Sequence, residues 1–185
     1  MAILLLGFDK DTKIEPADTS NVNDSVRQQN PLGKIPVLIA EDGVAYYDSR
    51  VILEYLDLRA GGGKILPADP VKRLAALRLQ ALCDGLLDAS ILLIYEGRWR
   101  RPEIHEPKWV EHQAGKVARA LAALEASPPK IDALPDVGGI TLACALGYRD
   151  FRFGGTWRGD HPRLVAWLEQ FSARVPAFAA TAPSG

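Results

Sequence analysis

The chain has 185 residues, 48% of them hydrophobic, with 22 Lys and Arg against 23 Asp and Glu and a formal net charge of −1. That is enough apolar material for one large domain or two small ones sharing an interface, and the near balance of charge excludes a general pull toward nucleic acid or an anionic membrane. The two cysteines, Cys83 and Cys144, lie far apart and outside any Cys/His grouping. A disulfide framework, a zinc or other metal site and a dithiol motif are therefore not expected, and reducing cytoplasm is the expected location. Met1 to Leu6 is apolar but has no basic leader or cleavage site and runs into Asp9, so no signal peptide is expected. No stretch approaches the roughly 20 apolar residues of a membrane span.

In chain order, Thr12 to Ala17 reads as a strand, Ile35 to Ala40 as a buried strand, and Val44 to Tyr47 as its hairpin partner across Glu41-Asp42-Gly43. Ser49 suits an N-cap or first-turn position. After it Val51, Ile52, Tyr55 and Leu56 recur at helical spacing until Ala60-Gly61-Gly62-Gly63 ends the pattern. The Gly- and Pro-rich stretch 61–69 reads as a linker, which places a first domain over 1–60 and a second over 70–185. Asp69-Pro70 supplies an N-cap and N1 pair for a long helix whose apolar face runs through Leu74, Leu77, Ala81, Leu82, Leu86, Ala89 and Leu93. Pro107 to Ser127, Thr141 to Tyr148 and His161 to Val175 read as three further helices.

Several groups carry chemistry. In Lys34-Ile35-Pro36-Val37 a proline opens a buried strand. A cis bond there would turn the Ile35 backbone toward a cleft where an extended peptide could pair with it; a trans proline at a strand start fits equally well. Asp48-Ser49 sets a carboxylate and a hydroxyl at a helix N-terminus, where free N–H groups can meet a ligand carboxylate and Asp48 a ligand ammonium; plain helix capping also explains the pair. Asp84 and Asp88 sit four apart on one helix face, which suits a polar cleft or a subunit face. Arg98, Trp99, Arg100 and Arg101 stand near the end of the same helix. They complement its dipole there, or else line a pocket for an acidic or aromatic co-substrate. No histidine is assigned to catalysis. Cys83 and Cys144 read as buried small apolar residues rather than nucleophiles.

Taken together, NPLGKIPVL, EDG and YDSRVILEYL resemble the N-terminal domain of bacterial cytosolic glutathione transferases, and ITLACALGYRDFRF with HPRLVAWLEQF resembles their helical domain. The likeness covers nearly the whole chain and is greatest to the YibF-like branch. It implies a thioredoxin-like α/β domain followed by an all-α domain. It also implies that the backbone of Ile35, before a cis Pro36, bonds the cysteinyl part of glutathione, that Lys34 reaches the glycine carboxylate, and that Asp48 and Ser49 hold the γ-glutamyl group. Asp88 would reach the γ-glutamyl amine across a homodimer interface, and Thr141 would cap the internal helix of the second domain.

In the same family an opening strand and turn carry the Ser, Cys or Tyr that stabilises the glutathione thiolate. Met1 to Gly7 matches the second half of the first helix instead, so the first domain is expected to be incomplete at its start and no catalytic residue is assigned. Ala2 to Leu6 as a first strand is disfavoured, because a parallel crossover to the next strand needs about a dozen residues or more. The resemblance implies glutathione as co-substrate without a metal, and transfer of its thiolate to a small electrophile or a disulfide in a detoxification role. As written, the chain is expected to conjugate glutathione poorly even while contacting the ends of the tripeptide. A non-catalytic binding or interaction module on the same fold is the alternative.

Overall fold

The computed structural model describes residues 1–183; the last two residues of the expected 70–185 domain lie outside the described residues. The chain divides into two units, Met1–Ala68 and a second beginning at Asp69.

The first unit opens with a short helix, α1 (Ala2–Leu5), so this apolar stretch is helical rather than extended. A second short helix, α2 (Val26–Gln29), follows a polar loop. Within that loop the expected strand over Thr12 to Ala17 does not form. A strand exists only through a hydrogen-bonded neighbour, and among the described residues no ladder includes this segment, whose Ile14 is 78% exposed. The sheet is a single antiparallel pair, β1 (Leu38–Ile39) and β2 (Ala45–Tyr46), in the register Leu38↔Tyr46 and Ile39↔Ala45. Both strands are shorter than their apolar runs. Asp42 tightens the turn between them: its carboxylate accepts from the Val44 N–H at 3.0 Å, and Gly43 takes a φ of +81° open to glycine. Helix α3 (Ser49–Arg59) then packs back on the hairpin, with Tyr46 stacked on Tyr55 at 4.4 Å and Ile52 and Leu56 buried.

The stretch after α3 is a built turn rather than a loose linker. Asp57, 3% exposed on α3, receives four backbone N–H groups: Gly63 at 2.9 Å, Lys64 at 2.8 Å, Ile65 at 2.7 Å and Leu66 at 3.2 Å. These bonds fold residues 61–66 under the helix and bury Ile65 and Leu66 completely or nearly so.

The second unit is helical. In α4 (Pro70–Trp99) the Asp69 carboxylate caps the start by accepting from the Lys72 N–H at 2.8 Å. Its core face carries Ala76, Cys83, Leu86 and Ala89. Helix α5 (Pro107–Ala126) contributes Val117, Ala120, Leu121 and Leu124. Helix α6 (Val137–Phe153) is the most buried element, with Leu142, Ala143, Ala145 and Leu146 at 0% exposure. Here the expectation that Thr141 caps the helix is corrected. Asp136 is the cap, accepting from the Gly139 N–H at 2.9 Å, and the Thr141 hydroxyl lies one turn inside, donating to the Val137 carbonyl at 2.7 Å. Gly138 disfavours a helix by propensity but is required by packing: a Cβ on it would stand 2.8 Å from the Leu79 side chain and 2.9 Å from the Ala76 carbonyl. Helix α7 (Pro162–Arg174) has no cap of its own, and Glu125 at the end of α5 supplies one, accepting from the N–H groups of Arg163 and Leu164, each at 2.9 Å. Phe171 stacks on Trp167 at 5.0 Å and meets Phe178 of the last helix, α8 (Pro176–Ala180), edge-on at 5.9 Å. No helix of the described residues is long and apolar enough to cross a membrane.

Candidate functional site

The antiparallel register brings two sequence-distant segments to one end of the hairpin. Lys34-Ile35-Pro36 leads into β1 and Asp48-Ser49 leaves β2, so both segments flank the same end of the ladder, beyond the Leu38↔Tyr46 pair. The Ile35–Pro36 bond is cis, as is Tyr47–Asp48. Lys34, Ile35 and Pro36 are exposed, Ile35 by 60%, which leaves its backbone open to a ligand.

Asn30 holds this segment in place. At 2% exposure its amide donates to the Lys34 carbonyl at 2.9 Å, its side-chain oxygen accepts from the Leu32 N–H at 3.0 Å, and its carbonyl accepts from the Gly33 N–H at 2.8 Å. Gly33 completes the turn at a φ of +60°. Asn30→Ala removes two of these three bonds. It is expected to lower stability by about 1 kcal/mol, the usual net worth of such contacts, and to weaken any ligand held on the Ile35 backbone, both readable by thermal denaturation and calorimetry on one variant.

Across the hairpin end Asp48 caps α3, its Oδ1 accepting from the Arg50 N–H at 3.0 Å. The capping reading of this residue thus holds, and it does not exclude the binding one. The carboxylate is exposed and an ionised carboxylate has about four acceptor positions, so a ligand ammonium can share it. The amides of the first turn and the half-buried Ser49 stand beside it, and the helix start favours negative charge. One end of this surface can therefore take a zwitterionic amino-acid head group, while the Ile35 backbone can pair with an extended peptide.

The other sequence candidates lie in the second unit. Asp84 is 9% exposed on α4, whereas Asp88, one turn on, is exposed, so the two carboxylates do not share an environment. Arg98 sits in the last turn of α4 and Arg100 at its C-cap, where Arg100 pairs with the buried Glu96 at 3.4 Å. Glu96 also accepts from the Glu106 N–H at 3.1 Å, pinning the connection to α5. Burial pushes the Cys83 thiol up to about 12, so it stays protonated at neutral pH and is a poor nucleophile. Cys144, by contrast, is exposed as a residue, against the expectation of burial, although desolvation still raises its thiol pKa. No group of His, Cys, Asp and Glu that could hold a metal ion occurs among the described residues.

Comparison with known proteins points the same way as the hairpin. Residues 1–59 match the family model for the glutathione S-transferase N-terminal domain. The chain is 35% identical over 168 residues to the GST-like protein YibF of Escherichia coli K12, covering 88% of this chain and 82% of that one. Among solved structures, a glutathione transferase family member from Pseudomonas fluorescens Pf-5 with bound glutathione is 39% identical with a TM-score of 0.84, covering 100% of this chain and 91% of its own. The same family member has also been solved with S-(propanoic acid)-glutathione, again at 39% identity and a TM-score of 0.84, with 100% and 93% covered.

Proposed function

Because the chain belongs to the glutathione transferase family, with that family's thioredoxin-like and helical domains, we propose that it binds glutathione at the hairpin end formed by Lys34, Ile35, Pro36, Asp48 and Ser49. The observation that carries this reading is the juxtaposition of an exposed backbone at cis Ile35–Pro36 with the Asp48-capped start of α3. The Ile35 N–H and C=O pair with the cysteinyl residue. The γ-glutamyl ammonium goes to Asp48, its carboxylate to Ser49 and the first amides of α3, and the glycine carboxylate to the Lys34 ammonium. Asp88 is a candidate for a second contact to the γ-glutamyl amine, made from a partner subunit.

The activity that follows is transfer of the glutathione thiolate to an electrophilic carbon or to a disulfide. The thiol gives up its proton to solvent, the sulfur pair forms the new S–C or S–S bond, and the electrons of the bond broken on the substrate leave with the departing group, a thiolate where a disulfide is attacked. A free thiol near pKa 8.5 is only a few per cent thiolate at pH 7, so holding the sulfur as thiolate is the chemical task. Calorimetric titration with glutathione tests the binding step: micromolar to millimolar saturation is expected, and no heat with a folded protein would remove the reading.

Homodimerisation belongs to the same proposal. Val71 and Leu74 on α4 are 78% and 69% exposed, and on α3 Leu58 is 73% exposed. Apolar surface of this kind favours a partner. Light scattering at micromolar concentration is expected to give twice the 20.1 kDa chain mass, with Leu74→Glu shifting it to the monomer; a monomeric parent protein would contradict the proposal.

A further inference from the structure

The second unit carries a groove that glutathione binding does not use. Between the connection after α5 and one face of α7 lies an open cavity of about 310 Å³, walled by Pro128, Pro129 and Ile131 on one side and by Ala166, Trp167 and Gln170 on the other. Arg163, Trp167, Gln170 and Arg174 recur along this face at helical spacing. Hydrogen bonds from α7 side chains to carbonyls of the connection fix the two walls together. The Trp167 indole N–H donates to Pro129 at 2.7 Å, the Arg163 Nη1 to Ala126 at 2.7 Å and the Arg174 Nη1 to Ile131 at 3.2 Å.

The charge of the groove is one-sided. Lys130, Arg163 and Arg174 line it, all exposed, and no carboxylate is part of the lining. Among the described residues no Asp or Glu lies within ion-pair distance of any of the three. Glu125 stands at the start of α7, where its two oxygens take the N–H groups of Arg163 and Leu164. Each guanidinium gives one N–H to a carbonyl and is held in place while keeping most of its five donors. Arg163 and Arg174 are about three helical turns apart, roughly 16 Å along the axis. A single small anion cannot bridge that span, whereas an extended chain at about 3.3 Å per residue covers it in about five residues. Trp167 is 5% exposed, which makes it a floor for small apolar side chains but leaves it too covered to stack a nucleobase.

We infer that this groove binds an acidic, extended segment of a partner protein. Carboxylates about five residues apart meet Arg163 and Arg174, and small apolar residues between them cross Ala166 and Trp167. Lys130 on the facing wall attracts the same segment, and the Gln170 amide is placed to bond its backbone. These ion pairs are solvent-exposed, so each is worth little and their sum gives a weak, salt-sensitive interaction. The site rests on the helical unit alone and is independent of the glutathione reading.

The test is fluorescence anisotropy on the full chain with dye-labelled, C-amidated Glu-Ala-Pro-Ala-Ala-Glu. Two controls carry the same dye: the peptide with both Glu replaced by Gln, and Glu-Glu-Ala-Pro-Ala-Ala, which keeps the charge but not the spacing. At low salt the spaced acidic peptide is expected to bind about tenfold more tightly than the Gln peptide and severalfold more tightly than the clustered one. Gln170→Glu sets a carboxylate at an exposed position in mid-groove and should lower affinity about tenfold with no change in melting temperature; Arg174→Gln should lower it about fivefold. Equal binding of the three peptides, no binding of the spaced one, or unchanged affinity in both variants would overturn the site. An oligothymidylate bound more tightly than the spaced peptide would overturn the protein partner in favour of nucleic acid. Saturating glutathione should leave the peptide affinity unchanged, and competition would overturn the independence of the site. Loss of glutathione binding with peptide binding intact would instead sink the earlier reading and leave this one standing.

Discussion

Asp57→Ala is expected to destabilise the protein by about 3–4 kcal/mol, the largest loss among the polar substitutions considered. The Asp57 carboxylate is buried and receives the N–H groups of Gly63, Lys64, Ile65 and Leu66. Bonds to a charged acceptor are worth about 1.5–3 kcal/mol each, and orphaned buried donors cost about 1–3 kcal/mol each. Water can replace the partner for the exposed Gly63 and Lys64 but not for Ile65 and Leu66, which are 0% and 2% exposed. Two orphaned donors and a loosened turn set the estimate. In a chain of this size that is a drop of roughly 10 °C in melting temperature. Asp57→Asn keeps one acceptor oxygen and should fall between the two. A loss below about 1 kcal/mol for the alanine variant would show that the turn holds itself without the carboxylate.

The second large effect is on binding. Asp48→Ala is expected to weaken glutathione by about 1.5–3 kcal/mol, the range for a hydrogen bond to a charged group, which is a factor of roughly ten to a hundred. It also removes the α3 cap made with the Arg50 N–H, so a control is required. Asp48→Asn keeps a capping acceptor while losing the charge. If Asp48 receives an ammonium, Asp48→Asn should lose affinity with little change in melting temperature. Unchanged affinity in both variants would take Asp48 out of the site and leave it as a cap alone.

Local chemistry is what the sequence displays most clearly. The Asp69-Pro70 start of α4 and the start of α3 at Asp48-Ser49 were legible because a cap and its amides lie within one turn. The hairpin was legible from Asp42-Gly43 between two apolar runs. Thr12 to Ala17 was not, because its β-prone residues acquire meaning only from a neighbouring strand. Asp57 was hidden for a related reason. Its partners lie six to nine residues on, in a Gly-rich stretch that reads as a linker, and no periodic pattern links a helix carboxylate to them.

Two features of α6 became visible only in its packing. The cap expected at Thr141 was implied by the family resemblance; the helix instead starts one turn earlier behind Asp136, where the close approach of Ala76 and Leu79 demands Gly138. Arg149 carries no signal of burial in the sequence, since Arg is mostly an exposed residue. Only the three-dimensional placement shows it buried beside Phe153 with two nitrogens unbonded. Asn30 carried a weaker signal: an Asn placed just before Pro31-Leu32-Gly33 is a turn former, and its grip on Lys34 could have been anticipated from that alone.

Glutathione is proposed to occupy the end of the hairpin between cis Ile35–Pro36 and the start of α3. Amide chemical-shift mapping by NMR during a glutathione titration tests it most directly. The largest saturable shifts are expected on the amides of Lys34, Ile35, Asp48, Ser49 and Arg50. Saturable binding whose shifts leave all five amides unmoved would contradict it.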